Sequence, residues 1–246
     1  MNNNRITESI ISNLRQRIQP AKKPILQRFF KTGPGQYAEG DVFWGIPVPQ
    51  QREVVKSFFQ TAGLSEINEL LSSDIHECRL TALLLMVEQF KKATEGERQA
   101  RIELYIQRVD RVNNWDLVDA SAPGLFGVWF QEKDPALLSQ WAQSGHLWKQ
   151  RIAMVSTLTM IRKGRFTEAL QVAELLVHHQ HDLLQKAVGW MLREIGKQDK
   201  AVEVHFLERH ASSMPRTMLR YAIEKFSPEE RALFMLRPVG GRPESH

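Results

Sequence analysis

Trp115 and Asp119 stand four residues apart in the stretch Asn113-Asn114-Trp115-Asp116-Leu117-Val118-Asp119-Ala120-Ser121-Ala122-Pro123-Gly124. On a helix that spacing puts an indole and a carboxylate on one face. Asn113 or Asn114 serves as the N-cap, its amide oxygen accepting from a free backbone N–H of the first turn. Pro123 lacks an N–H, so the helix is expected to bend or open there. A lone Asp near a helix start is most often a partner of the helix dipole, a reading that suits Asp116. For Asp119, one turn after the indole, a catalytic carboxylate is the competing reading.

The elements that hold this pair are helical. Apolar residues recur at spacings of three and four along most of the chain, as at Ile152, Val155, Leu158 and Ile161, with no alternation of strand length. Helices are predicted near 7–18, 24–30, 51–60, 64–72, 75–92, 96–111, 114–131, 135–143, 147–163, 166–179, 182–196, 199–210, 214–226 and 228–236. Gly and Pro make residues 31–40 a loop. Val42-Phe43-Trp44-Gly45-Ile46 is expected to be a buried connector, because no second strand is in sight to pair with it.

The long helices fall into a register. Arg79-Leu-Thr-Ala, Arg151-Ile-Ala-Met, Lys186-Ala-Val-Gly and Arg220-Tyr-Ala-Ile begin at intervals of 72, 35 and 34 residues. The first interval is two periods, and its midpoint falls in the Trp115–Asp119 stretch, where Asp116 takes the place of the cation. Such a period predicts an all-α fold, an α-solenoid of HEAT-like helix pairs with a basic concave face, as one domain over 1–236. The tail 237–246, rich in Gly and Pro, is expected to be flexible. Trp190 lies four after Lys186 and is followed by Arg193, so both share the basic stripe. Trp115 and Trp190 could then flank one cleft with Asp119 at its floor. A carboxylate amid cations weakens binding to phosphates, a cost that something should offset, and a catalytic role for Asp119 is one candidate.

Other chemistry is poorly supported. His178, His179, His181 and Asp182 resemble a metal cluster, but neighbouring side chains on a helix point apart and no distant ligand completes the set. No metal and no cofactor are expected. No Gly-rich phosphate loop of nucleotide-binding type is present. The single cysteine, Cys78, excludes an internal disulfide and falls in an apolar helical run, where a buried inert thiol is expected. No run is long enough to span a membrane, and the N-terminal residues lack the apolar core of a signal peptide. A cytoplasmic monomer is expected. A net charge of +5 and a pI of about 9.4 lean toward a polyanionic partner.

Three segments in order resemble the AlkD-type DNA alkylation-repair glycosylases: Trp115-Asp-Leu-Val-Asp119 with Ala122-Pro123, Leu147-Trp-Lys-Gln-Arg151, and Gln185-Lys-Ala-Val-Gly-Trp-Met-Leu-Arg-Glu194. The segment from Phe29 to Ile46 is similar to a branch of the same family, and the resemblance covers about Ile10 to Leu236. It implies a HEAT-like solenoid that clasps duplex DNA and excises N3- or N7-alkylated purines. It implies Asp119 as the catalytic carboxylate, Trp115 and Trp190 as cleft aromatics, and Arg151 as a DNA contact with Arg193 nearby. Arg79, Lys186 and Arg220 complete the expected phosphate contacts. Where family members often have a tyrosine, this chain reads Arg28-Phe29-Phe30, so Phe29 or Phe30 would line the cleft without a hydroxyl. The same fold could instead serve a non-catalytic DNA-binding protein, or a protein-binding scaffold.

Overall fold

The structure, a computed structural model, describes residues 3–236. The tail read as flexible, 237–246, lies outside the described residues. The chain divides into two compact units, Met1–Leu125 and Phe126–His246.

The first unit contains α1 (Asn3–Arg15), α2 (Lys23–Phe29), α3 (Val48–Phe58), α4 (Leu64–Leu71), α5 (His76–Phe90), α6 (Glu95–Gln107) and α7 (Trp115–Ser121). The second contains α8 (Phe126–Trp129), α9 (Ala136–Ala142), α10 (Leu147–Ser156), α11 (Leu158–Ile161), α12 (Thr167–Leu176), α13 (Asp182–Gln198), α14 (Lys200–His210), α15 (Arg216–Ala222) and α16 (Pro228–Leu236). The fold is all-α and of α-solenoid type: within each unit, helices pack chiefly on neighbours one to three places away in sequence. No strand occurs among the described residues.

In the first unit α5 is the centre. It packs against α3, α4 and α7, so its apolar residues run all round the helix (Cys78, Leu80, Ala82, Leu83, Leu84, Leu85 and Met86 are buried). In the second unit α13 has this place, against α10, α12, α14 and α15. Its Gly189 lets α15 come close, since a Cβ there would lie 2.4 Å from the Met218 carbonyl.

Two predicted helices are each split into two α-helices. The one over 114–131 becomes α7 and α8, broken at Ala122-Pro123-Gly124, as the missing N–H of Pro123 requires. The one over 147–163 becomes α10 and α11, meeting at Thr157. There the Ser156 and Thr157 hydroxyls donate back to the carbonyls of Ile152 and Met154, competing with the helical ladder.

The connector Val42–Ile46 finds its partners far along the chain. Val42 forms an isolated parallel bridge with Ile75, and the backbone N–H groups of Trp44, Gly45 and Ile46 all donate to the buried Glu77 carboxylate at 2.7–3.1 Å. Three amides turned toward one point make a cradle for an anion, here filled by a side chain of α5. Gly45 makes the curl possible: its φ is +87°, and a Cβ would strike the Gln19 carbonyl at 2.3 Å.

Cys78 is buried on α5, and burial pushes its thiol up to about 11. The folded protein should therefore resist a thiol-specific reagent at about pH 8, with labelling only after denaturation. Rapid labelling of the native protein would contradict this placement.

Candidate functional site

The start of α7 is fixed by three short polar side chains. Asn114 is the N-cap, extended at φ −149° and ψ 155°, and its amide oxygen accepts from the Trp115 N–H at 2.8 Å. Asp116 accepts from the Leu117 N–H at 2.9 Å, a carboxylate well placed against the positive helix end. Asn113 turns the other way: its amide donates to Asp41 at 2.9 Å and its oxygen accepts from Arg79 at 3.2 Å.

Behind α7 lies a buried charge network. His76, the first residue of α5, has Nδ1 3.2 Å from Asp41 and Nε2 2.8 Å from Asp116. Arg79, one turn later, donates to Asp41 at 2.7 Å and to the Ser73 carbonyl at 3.0 Å. Burial opposes the charge on His76, but Asp116 and Asp41 outweigh it and raise the imidazole to about 9. Burial likewise opposes the charge on Asp41, and His76, Arg79 and Asn113 hold its carboxyl below the usual carboxylate value. Near neutral pH the network is therefore two cations interleaved with two carboxylates, and it ties the connector, α5 and α7 together.

The rings lie against this network. His76 stacks on Phe43 at 4.4 Å and Phe30 stacks on Phe43 at 5.1 Å. Phe30 also stacks on Trp115 at 5.3 Å, while Phe29 meets the same indole edge-on at 5.6 Å. Both phenylalanines predicted to line a cleft thus touch Trp115, but they differ in access: Phe30 is buried and Phe29 is 59% exposed. Asp119 is half-buried one turn along α7 from the indole. Its charge is felt at the buried Tyr105 hydroxyl, which shares a 3.0 Å hydrogen bond with Ser121.

The predicted cations do not form one exposed stripe. Arg79, expected to contact DNA, is 2% exposed and committed to Asp41, Asn113 and Ser73. That expectation is corrected: the guanidinium is an internal counter-charge, because moving it to the surface would leave Asp41 buried with less compensation. In the second unit Arg151 is 5% exposed and donates to the Leu183 carbonyl. Lys186 pairs with Asp182 at 2.8 Å, and Arg193 pairs with Glu224. Trp190 is half-buried, its indole N–H donating to Glu194 at 3.1 Å. Arg220 is exposed, and among the described residues its side chain makes only a 3.5 Å contact to the Thr217 hydroxyl.

Beside Arg193 lies a residue that spacing did not single out. Glu203 is 2% exposed, and burial raises its carboxyl to about 8 despite Lys200 and Arg193. A carboxyl raised on folding binds its proton more tightly in the folded state, so stability falls as pH rises from about 4.5 through 8. Glu203→Gln should accordingly stabilise the protein at about pH 8 by on the order of 1–2 kcal/mol and leave it unchanged at about pH 4. Urea unfolding at the two pH values checks this, and an unchanged or lower midpoint at the higher pH would contradict it.

His179 and His181 act as local caps: the His181 N–H donates to the His179 ring at 3.0 Å, and the Leu183 N–H to the His181 ring at 3.2 Å. No group of three or more His, Cys, Asp or Glu side chains could hold a metal ion among the described residues. No helix among them is long and apolar enough to cross a membrane.

Residues 10–226 match the model of a family described as DNA alkylation repair enzyme. The fold is similar to that of a solved structure described as a predicted DNA alkylation repair enzyme from Enterococcus faecalis. The two are 18% identical with a TM-score of 0.69, over 86% of this chain and 98% of that one. No curated protein sequence is significantly similar.

Proposed function

The chain belongs to the DNA alkylation repair enzyme family, and from that premise we propose that it is a monofunctional DNA glycosylase of HEAT-like architecture, cytoplasmic and active on duplex DNA. Its substrates are cationic N3- or N7-alkylated purines. The observation that carries this reading is the half-buried Asp119 one turn from an indole whose helix start is fixed by Asn114, Asp116 and His76.

An alkylated purine of this kind carries positive charge, and it leaves as a neutral base when the bond to C1′ breaks. No general acid is required. Positive charge passes instead to the sugar as it becomes oxocarbenium-like, and a water oxygen then bonds to C1′ and releases its proton. Asp119 stabilises that sugar and positions the water. The indole of Trp115, one turn before Asp119 on α7, attracts a cationic sugar or base. Arg193, Lys186 and Arg220 are assigned to the DNA backbone, whereas Arg151, 5% exposed and donating to the Leu183 carbonyl, is assigned like Arg79 to holding the helices from within. Ion pairs such as Lys186–Asp182 do not oppose this, since exposed pairs contribute little and exchange readily for phosphate. Lys186 is assigned to phosphate rather than to a covalent lyase step. Phe29 and Phe30 both lie against Trp115, where a family tyrosine would add a hydroxyl.

Purified protein incubated with a duplex carrying one 7-methylguanine should leave an alkali-sensitive abasic site at the lesion. Salt-dependent binding of the duplex without abasic sites would instead make it a non-catalytic DNA-binding member of the family. Absence of both would leave a scaffold for proteins.

A further inference from the structure

The excess positive charge of the chain has a single source. From Ser9 to Ala38 there is no Asp or Glu, while Arg15, Arg17, Lys22, Lys23, Arg28 and Lys31 all occur. The rest of the chain carries 27 basic and 28 acidic side chains. Arg15 lies over the Trp44 ring and Arg17 approaches Glu53. The other four are exposed and make no ion pair or side-chain hydrogen bond among the described residues. They flank or belong to α2. By contrast, Lys186, Arg193, Lys197, Lys200 and Arg209 of the second unit each have an acidic partner.

The same element exposes apolar surface. Ile25 and Phe29 are four apart on α2, hence on one face, and are 66% and 59% exposed. With Pro24, Arg28 and Lys31 they line an open hollow. Lys31 ends the element at φ +58°, a left-handed conformation uncommon outside glycine, held by the Thr32 N–H on the Gln27 carbonyl and the Ala38 N–H on the Lys31 carbonyl. Phe29 in turn packs edge-on against Trp115.

We propose that α2 and Lys31 form a duplex-DNA binding surface, with Lys22, Lys23, Arg28 and Lys31 on backbone phosphates and Ile25 and Phe29 against the deoxyribose faces between them. Uncompensated cations match a polyphosphate, and two apolar side chains amid them match the sugar edge of a groove better than they match water. The inference rests on the reading of duplex DNA as the substrate, but it concerns binding and is independent of base excision.

The test is the affinity of the full chain for an unmodified duplex as a function of salt. Comparison is with a variant carrying Lys22→Gln, Lys23→Gln, Arg28→Gln and Lys31→Gln, and with a control carrying Arg52→Gln and Lys56→Gln on α3. Each phosphate contact contributes about 0.9 to the slope of log affinity against log salt, so the α2 variant should lose up to about 3.5 of it, and the control none. Ile25→Ser with Phe29→Ser should weaken binding and leave the slope unchanged. Circular dichroism of each variant establishes that it is folded. An unchanged slope in a folded α2 variant overturns the proposal, even if excision proceeds. So does an intact slope accompanied by lost binding to phosphatidylglycerol vesicles, which would assign the surface to a membrane. A reduced slope in a protein that excises nothing supports the α2 surface and refutes the glycosylase instead.

Discussion

His76→Phe should destabilise the protein by on the order of 3 kcal/mol near neutral pH, lowering Tm by roughly 10 °C. The imidazole is 1% exposed and sits between Asp41 and Asp116. The phenyl ring keeps the stack with Phe43 and removes the charge, leaving two carboxylates with only Arg79, Asn113 and backbone to offset them. The pH dependence has a definite sign. His76 is raised from 6.5 to about 9 on folding, so its contribution is fully present below 6.5 and is lost as pH rises through 9. That shift corresponds to about 3 kcal/mol. Urea midpoints of the wild type should therefore fall across this window relative to those of His76→Phe, the two curves converging at the alkaline end. Parallel curves would mean that His76 is neutral in the folded protein.

Asp119→Asn should lower excision by at least about 100-fold, the order seen when one group that stabilises transition-state charge is removed from a preorganised site. The amide is nearly the same size and Asp119 is half-buried on a capped helix, so folding should be unaffected. Loss of a negative charge should leave duplex affinity unchanged or improve it, because that charge opposes phosphate. An equal loss of binding and excision would instead assign Asp119 to the architecture of α7.

Much of the helical plan was legible along the chain, because apolar spacing, an amide N-cap at Asn114 and the missing N–H of Pro123 are all local signals. The pairing of Trp115 with Asp119 was legible for the same reason. The network that holds them was not. His76 meets partners 35 and 40 residues away, and nothing in the spacing of Asp41, His76 and Asp116 announces it. The register of basic residues misled at Arg79 because a cation near a helix start looks the same in one dimension whether it faces solvent or a buried carboxylate. The four unpaired cations around α2 lay outside that register. Their signal is compositional, thirty residues without an acid, and a search for periodicity passes over it.

The proposed reaction stands or falls on whether this chain breaks the glycosidic bond and whether Asp119 is responsible. The most direct measurement is the free base itself: 7-methylguanine released from a defined duplex, identified by mass, for the wild type beside Asp119→Asn. The wild type should release the base, and a folded Asp119→Asn variant that still binds the duplex should release at least about a hundredfold less. A wild type that binds duplex with a steep salt dependence yet releases no base would contradict it, and the missing tyrosine hydroxyl at Phe29 or Phe30 would be the first place to look.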